Sequence, residues 1–228
     1  MSIPTSPLPS NPDSELPSSP MVVRVFGLPR FHCDGEVAAL SFAPDGTLWS
    51  VDECGLLLQW SIEGHPLRRT FLSDLETLWR FGPGARLLAS ANDDLLLWDV
   101  AEGQLLKRIA QPSWITAIAF APDGQMLATG HDNGQIRFWN LACQQLVCEI
   151  TAHPQPVSAL AFSPSGALLA SAGEDRVVRL WEVDTHRPLR SFVSHTDRIP
   201  DLSWSRDSRL LYSAGWDTSV RVWDVMAS

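Results

Sequence analysis

The chain has 228 residues, of which 45% are hydrophobic and 19% charged, and its formal net charge at pH 7 is −9. This length is enough to bury a sizeable core, and the composition excludes a chain that is disordered throughout. The sequence has no apolar run of about 18 residues, no secretory signal and no surplus of basic residues. We therefore expect a cytoplasmic protein that binds neither membranes nor nucleic acid.

Residues 1–20 differ in composition from the rest of the chain. They contain six prolines, six serines and no aromatic residue, so they cannot bury enough apolar surface to offset the loss of chain entropy on folding. We expect a disordered tail over 1–20 and one folded domain over 21–228. The first apolar segment of that domain, residues 22–27, predicts a β-strand that precedes the first repeat.

Five tryptophans mark an internal repeat along the folded domain. Each ends a short run rich in Leu, Val or Ile, and the successive gaps are 38, 41, 42 and 42 residues. The five are Trp60, Trp98, Trp139, Trp181 and Trp223. Upstream of four of them lies an apolar strand that ends in a tight turn, at 42–46, 120–124, 162–166 and 204–208, whereas the second repeat has Phe-Gly-Pro-Gly at 81–84. In three of these four turns a proline, which fixes φ, is followed two residues later by a glycine, which accepts positive φ, as is typical of hairpins.

Each repeat predicts four short strands, which in the fourth repeat are 157–163, 168–173, 177–183 and 189–193. The first two strands are apolar on both faces, as a strand between two neighbouring sheets must be. A lone four-stranded sheet of this kind exposes both faces to water, and radial stacking of the sheets buries them. The sequence therefore predicts an all-β propeller.

These residues resemble the WD-repeat (WD40) family of β-propellers. Its defining dipeptide is present as Trp98-Asp99 and Trp223-Asp224 and is altered at the other three tryptophans. The resemblance covers about residues 22–225 and implies five four-stranded blades that end near the five tryptophans. It implies the fold and leaves the individual function open.

The family's buried tetrad of His, Ser, Asp and Trp is complete in two repeats. It comprises His153, Ser171, Asp175 and Trp181 in the fourth, and His195, Ser213, Asp217 and Trp223 in the fifth. The other repeats keep parts of it. They have His32, Ser50, Cys54 and Trp60; Ser90, Asp94 and Trp98 with no histidine; and Gln111, Thr129, Asn133 and Trp139. Because a catalytic triad occurs once and this set recurs, we predict a structural hydrogen-bond chain rather than a hydrolase site.

The sequence predicts no other chemical site. The four cysteines have no CxxC spacing and are too sparse for a disulfide scaffold, and no phosphate loop, metalloprotease, esterase or kinase motif is found. The cysteines are Cys33, Cys54, Cys143 and Cys148. We expect reduced thiols and no catalytic residue, metal or cofactor. We also expect the single histidines His65, His131 and His186, which fall in predicted turns or hairpins, to be solvated.

Two architectures remain open for the ring. The strand at 22–27 can supply the fourth strand of the fifth blade and close a five-blade ring, which removes the open sheet edge. Alternatively, the repeats form an open arc of a longer propeller, since family members usually have seven blades of about 41 residues.

The favoured function is a non-enzymatic scaffold that binds a protein or peptide on one face of the propeller. The alternatives are a regulatory or sensor domain of a larger protein and, less favoured, a propeller enzyme. The resemblance places the binding surface, the narrow face, at the residues just ahead of each first strand and just before each tetrad Asp position. Those residues are Glu36, Trp114, Pro156 and Arg198, followed by Glu53, Asp93, Asp132, Glu174 and Trp216. Exposed tryptophans near Arg198 suit an interface, and the surrounding acidic residues favour a basic peptide.

Overall fold

A computed structural model describes residues 36–72 and 77–227 and shows an all-β architecture. Nineteen strands form five antiparallel sheets, and the described residues contain one short 3₁₀ turn at Pro83–Ala85. Within these residues there is no helix that is long and apolar enough to cross a membrane. The prediction of a WD-repeat type of β-propeller architecture is thus confirmed at the level of fold class.

Each sheet is a meander in which strands adjacent in sequence are hydrogen-bonded neighbours. Blade 1 comprises β1 (Val37–Phe42), β2 (Leu48–Asp52), β3 (Leu56–Trp60) and β4 (Pro66–Phe71). Blade 2 comprises β5 (Leu78–Phe81), β6 (Leu87–Ala91), β7 (Asp94–Asp99) and β8 (Gln104–Ala110). Blade 3 comprises β9 (Ile115–Phe120), β10 (Met126–His131), β11 (Gln135–Asn140) and β12 (Gln145–Thr151).

Blade 4 comprises β13 (Val157–Phe162), β14 (Leu168–Gly173), β15 (Val177–Glu182) and β16 (Pro188–Val193). These four strands end within one residue of the boundaries predicted from the sequence. Blade 5 has three strands among the described residues, β17 (Asp201–Trp204), β18 (Leu210–Ala214) and β19 (Val220–Asp224). The predicted tail over 1–20, the predicted strand over 22–27, His32 and Cys33 lie outside the described residues.

Four hydrophobic cores hold the blades together, and each lies between two successive blades. In the core between blades 3 and 4, for example, Phe138 packs with Leu169 and Trp181. Polar contacts also join neighbouring blades, since Ser158 Oγ in blade 4 donates to the carbonyl oxygen of Ile199 ahead of blade 5 at 2.7 Å. The apolar residues predicted on both faces of the inner strands are what allows each blade to pack on two neighbours.

The described strands do not close into a ring, and the outer face of blade 5 is open. Val178 and Leu180 on β15 are 0% and 1% exposed because blade 5 covers them. Val220 and Val222 occupy the same positions on β19 and are 69% and 56% exposed. Within the described part of the chain, the last blade therefore carries a core-type face without a neighbouring blade.

Candidate functional site

The predicted narrow face is assembled by one backbone hydrogen bond that recurs in four blades. The residue before the tetrad Asp position donates its N–H to the carbonyl oxygen of the residue just ahead of the first strand, at 2.8–3.0 Å. This bond links the loop entering each blade to the turn between its second and third strands. The pairs are Glu53 to Glu36, Asp132 to Trp114, Glu174 to Pro156 and Trp216 to Arg198.

The structure thus brings eight of the nine predicted narrow-face residues together as four pairs, one each in blades 1, 3, 4 and 5. The ninth, Asp93, is exposed in the equivalent turn of blade 2. Both tryptophans project into solvent, with Trp114 65% and Trp216 61% exposed. Tryptophan is enriched among the residues that contribute most of the binding free energy at protein interfaces. Here two such side chains are held on rigid loops and exposed to solvent.

Arg198 links blades 4 and 5 on this face. Its guanidinium carbon lies 5.2 Å from the centre of the Trp216 ring, and its Nη1 atom lies 3.1 Å from Glu174 Oε1 in the neighbouring blade. A guanidinium over an indole face is held by cation–π attraction and presents the ring at a fixed angle. The ion pair is partly exposed, so it contributes to orientation more than to the free energy of folding.

The remaining charged groups of the narrow face are acidic. Glu36, Glu53, Asp93 and Asp132 are exposed carboxylates, while Arg198 is the one cation among the nine residues and is paired with Glu174. The nine residues of the narrow face thus carry more negative than positive charge, and Asp132 is bonded through its backbone to Trp114. An interface with this composition complements basic side chains.

Below this face, the fourth blade contains a continuous hydrogen-bond chain. Trp181 Nε1 donates to Ser171 Oγ at 2.9 Å, Ser171 Oγ lies 2.8 Å from His153 Nε2, and His153 Nδ1 lies 2.9 Å from Asp175 Oδ1. Because the Asp175 carboxylate can only accept, the neutral imidazole carries its proton on Nδ1, so Nε2 accepts from the serine hydroxyl.

The fifth blade repeats this chain with His195, Ser213, Asp217 and Trp223, at distances of 2.7–2.9 Å. The order Ser–His–Asp is the same as in a catalytic triad. However, Ser171 and Ser213 are 0% and 1% exposed, so their hydroxyls cannot reach a substrate. A nucleophile needs access to the bond that it attacks, and the geometry is that of a buried structural network.

Burial and partner charges set the protonation state of the fourth-blade network. Burial lowers the pKa of His153, against the opposing effect of Asp175, and so favours the neutral ring. Burial raises the pKa of Asp175, but hydrogen bonds from His153 and Arg179 and the positive charge of Arg179 outweigh it and lower that pKa overall. Hydrogen bonds from Ser219, Thr196 and His195 likewise lower the pKa of Asp217. Both aspartates are therefore ionised acceptors at neutral pH.

The third blade builds its network differently from the sequence prediction. His131, predicted to be solvated, is completely buried, with Nε2 3.0 Å from Thr129 Oγ1 and Nδ1 3.0 Å from Ser113 Oγ. Trp139 donates to Thr129 Oγ1 at 3.0 Å. His131 thus takes the place of the missing loop histidine, and the prediction of a solvated side chain was wrong because β10 extends through this residue.

In blade 3, Gln111 occupies the loop position of the tetrad histidine and binds a different side chain. Gln111 Oε1 accepts a hydrogen bond from Arg137 Nη1 at 2.9 Å, and Arg137, which is buried, also donates through Nε to Glu149 Oε2 at 2.6 Å. Burial, aided by the positive charge of Arg137, lowers the pKa of His131 to about 4. The third blade therefore keeps a neutral imidazole beside a paired guanidinium.

Blades 1 and 2 retain the part of the network that binds the tryptophan. Trp60 Nε1 donates to Ser50 Oγ at 2.8 Å, and Trp98 Nε1 donates to Ser90 Oγ at 2.9 Å. Asp94 in blade 2 pairs with Arg108 instead of a histidine. Elsewhere in the described ranges, no group of three or more His, Cys, Asp or Glu side chains has an arrangement that suits a metal ion.

Comparison with known families agrees with this architecture. A family profile described as "WD domain, G-beta repeat" matches residues 103–140, 144–182 and 186–224, which together cover half of the chain. The first match begins before β8 and ends with β11. The sequence repeat is therefore offset from the blade by one strand, because it joins the outer strand of one blade to the three inner strands of the next.

Several longer proteins contain segments similar to this chain. U3 small nucleolar RNA-associated protein 12 of Saccharomyces cerevisiae is 28% identical over 128 residues, 54% of this chain and 14% of that protein. Telomerase protein component 1 of Rattus norvegicus is 32% identical over 111 residues, 47% of this chain and 4% of that protein. A coronin-like protein of S. cerevisiae is 33% identical over 69 residues, 29% of this chain and 11% of that protein. The chain thus spans a small fraction of these relatives.

Proposed function

Because the chain belongs to the WD-repeat family, we propose that it is a non-enzymatic scaffold whose narrow face binds a protein or peptide partner. The observation that carries the proposal is the pair of exposed tryptophans, Trp114 and Trp216, in loops tied by backbone hydrogen bonds. Fixed loops lose little conformational entropy on binding, so an aromatic side chain on them contributes more of its contact free energy to affinity.

The charge on this face supports a partner with basic side chains. Four of the nine narrow-face residues are exposed carboxylates, and the cation at Arg198 is already paired with Glu174. The same charge disfavours the phosphate backbone of a nucleic acid. The names of two relatives mention a small nucleolar RNA and telomerase, and for this chain we propose a role in a protein assembly without direct contact to nucleic acid.

The absence of an enzymatic role is part of the proposal. The Ser–His–Asp sets are buried, and their serine hydroxyls serve the tryptophans of the blade core. Cys143 and Cys148 carry free thiols, which suits the reducing cytoplasm that we propose as the location.

Affinity capture with the complete chain tests the proposal. Wild type and the double variant Trp114→Ala/Trp216→Ala are used to capture proteins from a cytoplasmic extract, followed by mass spectrometry and by titration of each purified candidate. We expect a protein that binds wild type and is lost from the double variant. Leu189→Ala, an exposed position on the outer strand β16, is the matched control and retains it.

The outcome that contradicts the proposal is a partner bound equally by wild type and the double variant, while thermal melts show that the variant is folded. That result moves the interface to the rim or to the opposite face. Because both rings are more than half exposed, their removal changes the free energy of unfolding by about 0.5 kcal/mol or less, so lost binding is separable from lost folding.

The second candidate is a regulatory WD-repeat domain that acts beside other domains. The observation in its favour is that the matched segments make up 4–14% of the three relatives described above. Sequencing the transcript that encodes this chain distinguishes the candidates, because a regulatory domain requires further coding sequence continuous with it.

A further inference from the structure

The hairpins that join the first and second strand of each blade form a row at the edge opposite the narrow face. A Cβ built on Gly84 of blade 2 lies 3.3 Å from Pro44 Cγ of blade 1, and one built on Gly166 of blade 4 lies 3.5 Å from Pro122 Cγ of blade 3. Between blades 4 and 5, Ser165 N donates to Ser208 Oγ at 3.1 Å. Successive first hairpins therefore touch.

This row is interrupted between blades 2 and 3. A Cβ built on Gly124, the blade 3 equivalent of Gly166, has no atom within 4 Å. The blade 2 hairpin differs from the others because it has two successive residues with positive φ, Gly84 at 66° and Ala85 at 52°. The hairpin that has this different turn is separated from the blade 3 hairpin by a gap at Gly124.

An open pocket of about 270 Å³ occupies this gap. Its floor includes Leu87 and Phe120, and the Phe120 ring lies over Gly82, where an added Cβ is 3.2 Å from the ring. The equivalent positions of the other blades carry Ala43, Ala121, Ser163 and Ser205. Glycine at 82 therefore permits a ring position that a side chain there would obstruct.

The rim of the pocket is charged and mainly acidic. The charged side chains that line the pocket, here called its rim, are Asp99, Asp123 and Arg86. Each aspartate uses Oδ1 to accept a backbone N–H, Asp99 from Glu102 at 2.7 Å and Asp123 from Gln125 at 2.9 Å. These bonds fix the carboxylates at the rim, and their second oxygens have no hydrogen bond to the described residues.

We propose that this pocket is a second peptide-binding site, which takes one apolar side chain flanked by a lysine or arginine. The volume lies below the roughly 300–1,000 Å³ typical of pockets for drug-sized ligands, so it suits one side chain better than a cofactor. The apolar floor accepts that side chain, and the two rim carboxylates attract the neighbouring cation. The site lies at the opposite edge from Trp114 and Trp216 and is independent of the narrow face.

A defined peptide tests this site on the complete ¹⁵N-labelled chain. The probe is acetyl-Gly-Lys-Leu-Lys-Gly-amide, and the matched peptides replace Leu with Gly or both Lys with Glu. We expect saturable amide shifts at Asp99, Gly124 and Gln125 at millimolar peptide, with much smaller shifts for either matched peptide. Shifts centred on Trp114 and Trp216 assign the peptide to the narrow face and overturn the pocket proposal, as does the absence of saturable shifts.

Charge-neutral variants give the second measurement. Asp99→Asn/Asp123→Asn keeps both Oδ1 acceptors and removes both rim charges, so we expect the affinity for the lysine peptide to fall about five- to tenfold, as loss of two exposed ion pairs implies. Asp45→Asn, at the same turn position in blade 1, is the matched control with unchanged affinity. Equal affinity of wild type and the double variant, with both shown folded by their melts, overturns the proposal.

Discussion

His131 Nε2 lies 3.0 Å from the hydroxyl oxygen of Thr129, two residues earlier on the same face of β10. In blades 4 and 5 the corresponding imidazole comes from the loop ahead of the blade, through His153 and His195. In those two blades the position equivalent to His131 is occupied by a glycine, Gly173 or Gly215. The same hydrogen-bonding requirement is thus met from two different sides of one cavity.

The buried His131 predicts a specific pH dependence of stability. Its pKa is about 4 in the folded chain and near 6.5 when unfolded, so between these values the unfolded state binds a proton that the folded state does not. Stability therefore falls as the pH drops from about 6.5 to about 4, by about 3 kcal/mol from this group. Urea unfolding of wild type and His131→Gln across pH 4–7.5 measures the difference.

We expect the free energy of unfolding of His131→Gln to vary less steeply over that pH range, whatever its absolute stability. The two proteins differ only at position 131, so the contributions of the rest of the chain cancel in the comparison. Parallel pH curves for the two proteins would show that His131 titrates at its ordinary pKa and is not held neutral by burial.

The two histidine positions predict a rescue between variants of blade 4. A Cβ on Gly173 lies 2.5 Å from His153 Nδ1, so Gly173→His places two imidazoles in one cavity and is strongly destabilising. Gly173→His/His153→Gln places histidine and glutamine as in blade 3, with Asp175 in place of Asn133, and is expected to be more stable than Gly173→His alone. Thermal melts of wild type, both single variants and the double variant measure this coupling, and additive effects would contradict the shared cavity.

Removal of the network's carboxylate predicts a loss of stability without a change of chemistry. Asp175→Ala leaves the buried His153 Nδ1–H without its acceptor, so we expect a loss of about 1–3 kcal/mol in the free energy of unfolding. Asn133→Ala changes the equivalent position of blade 3, where the side chain is exposed and bonds Gln135, and is expected to cost less. Similar losses for the two variants in urea unfolding would argue against the network as the cause.

The open face of blade 5 predicts unequal costs for equivalent truncations. Leu180→Ala removes a side chain buried between blades 4 and 5, and we expect it to cost about 2–5 kcal/mol. Val222→Ala, at the same position of β19, removes an exposed side chain and is expected to change stability by about 0.5 kcal/mol or less. A large cost for Val222→Ala in the complete chain would mean that other residues cover this face in solution.

The repeat could be predicted because strand packing leaves a periodic trace in the sequence. The Trp181 spacing and the turn residues at 162–166 fixed the blade 4 strands to within one residue. The family resemblance placed Trp216 and Arg198 on one face, and the structure adds that a backbone hydrogen bond which recurs with the repeat joins them. The spacing of the repeat is thus enough to locate strands and turns, even where the side-chain contacts are unknown.

Features that depend on a departure from the repeat were harder to predict. Two replacements in blade 3 indicated a buried His131. Gln111 stands where blade 4 has a histidine, and His131 stands where blade 4 has a glycine. The combination is informative only when the position of the imidazole cavity is known. The gap beside Gly124 depends on the positive φ values at Gly84 and Ala85. Alanine rarely adopts such a conformation, so residue identity alone did not indicate it.

The one-dimensional order of the blades determines how the protein opens. Blades 2, 3 and 4 each share a hydrophobic core with two neighbours, whereas blades 1 and 5 share one each among the described residues. In the open arc that these residues form, we expect fraying to begin at the two end blades and to reach blade 3 last, as in other arrays held by nearest-neighbour contacts. A ligand that spans Arg198, Trp216 and Glu174 clamps blade 5 to blade 4, so its binding free energy is linked to the closure of one of the two end blades.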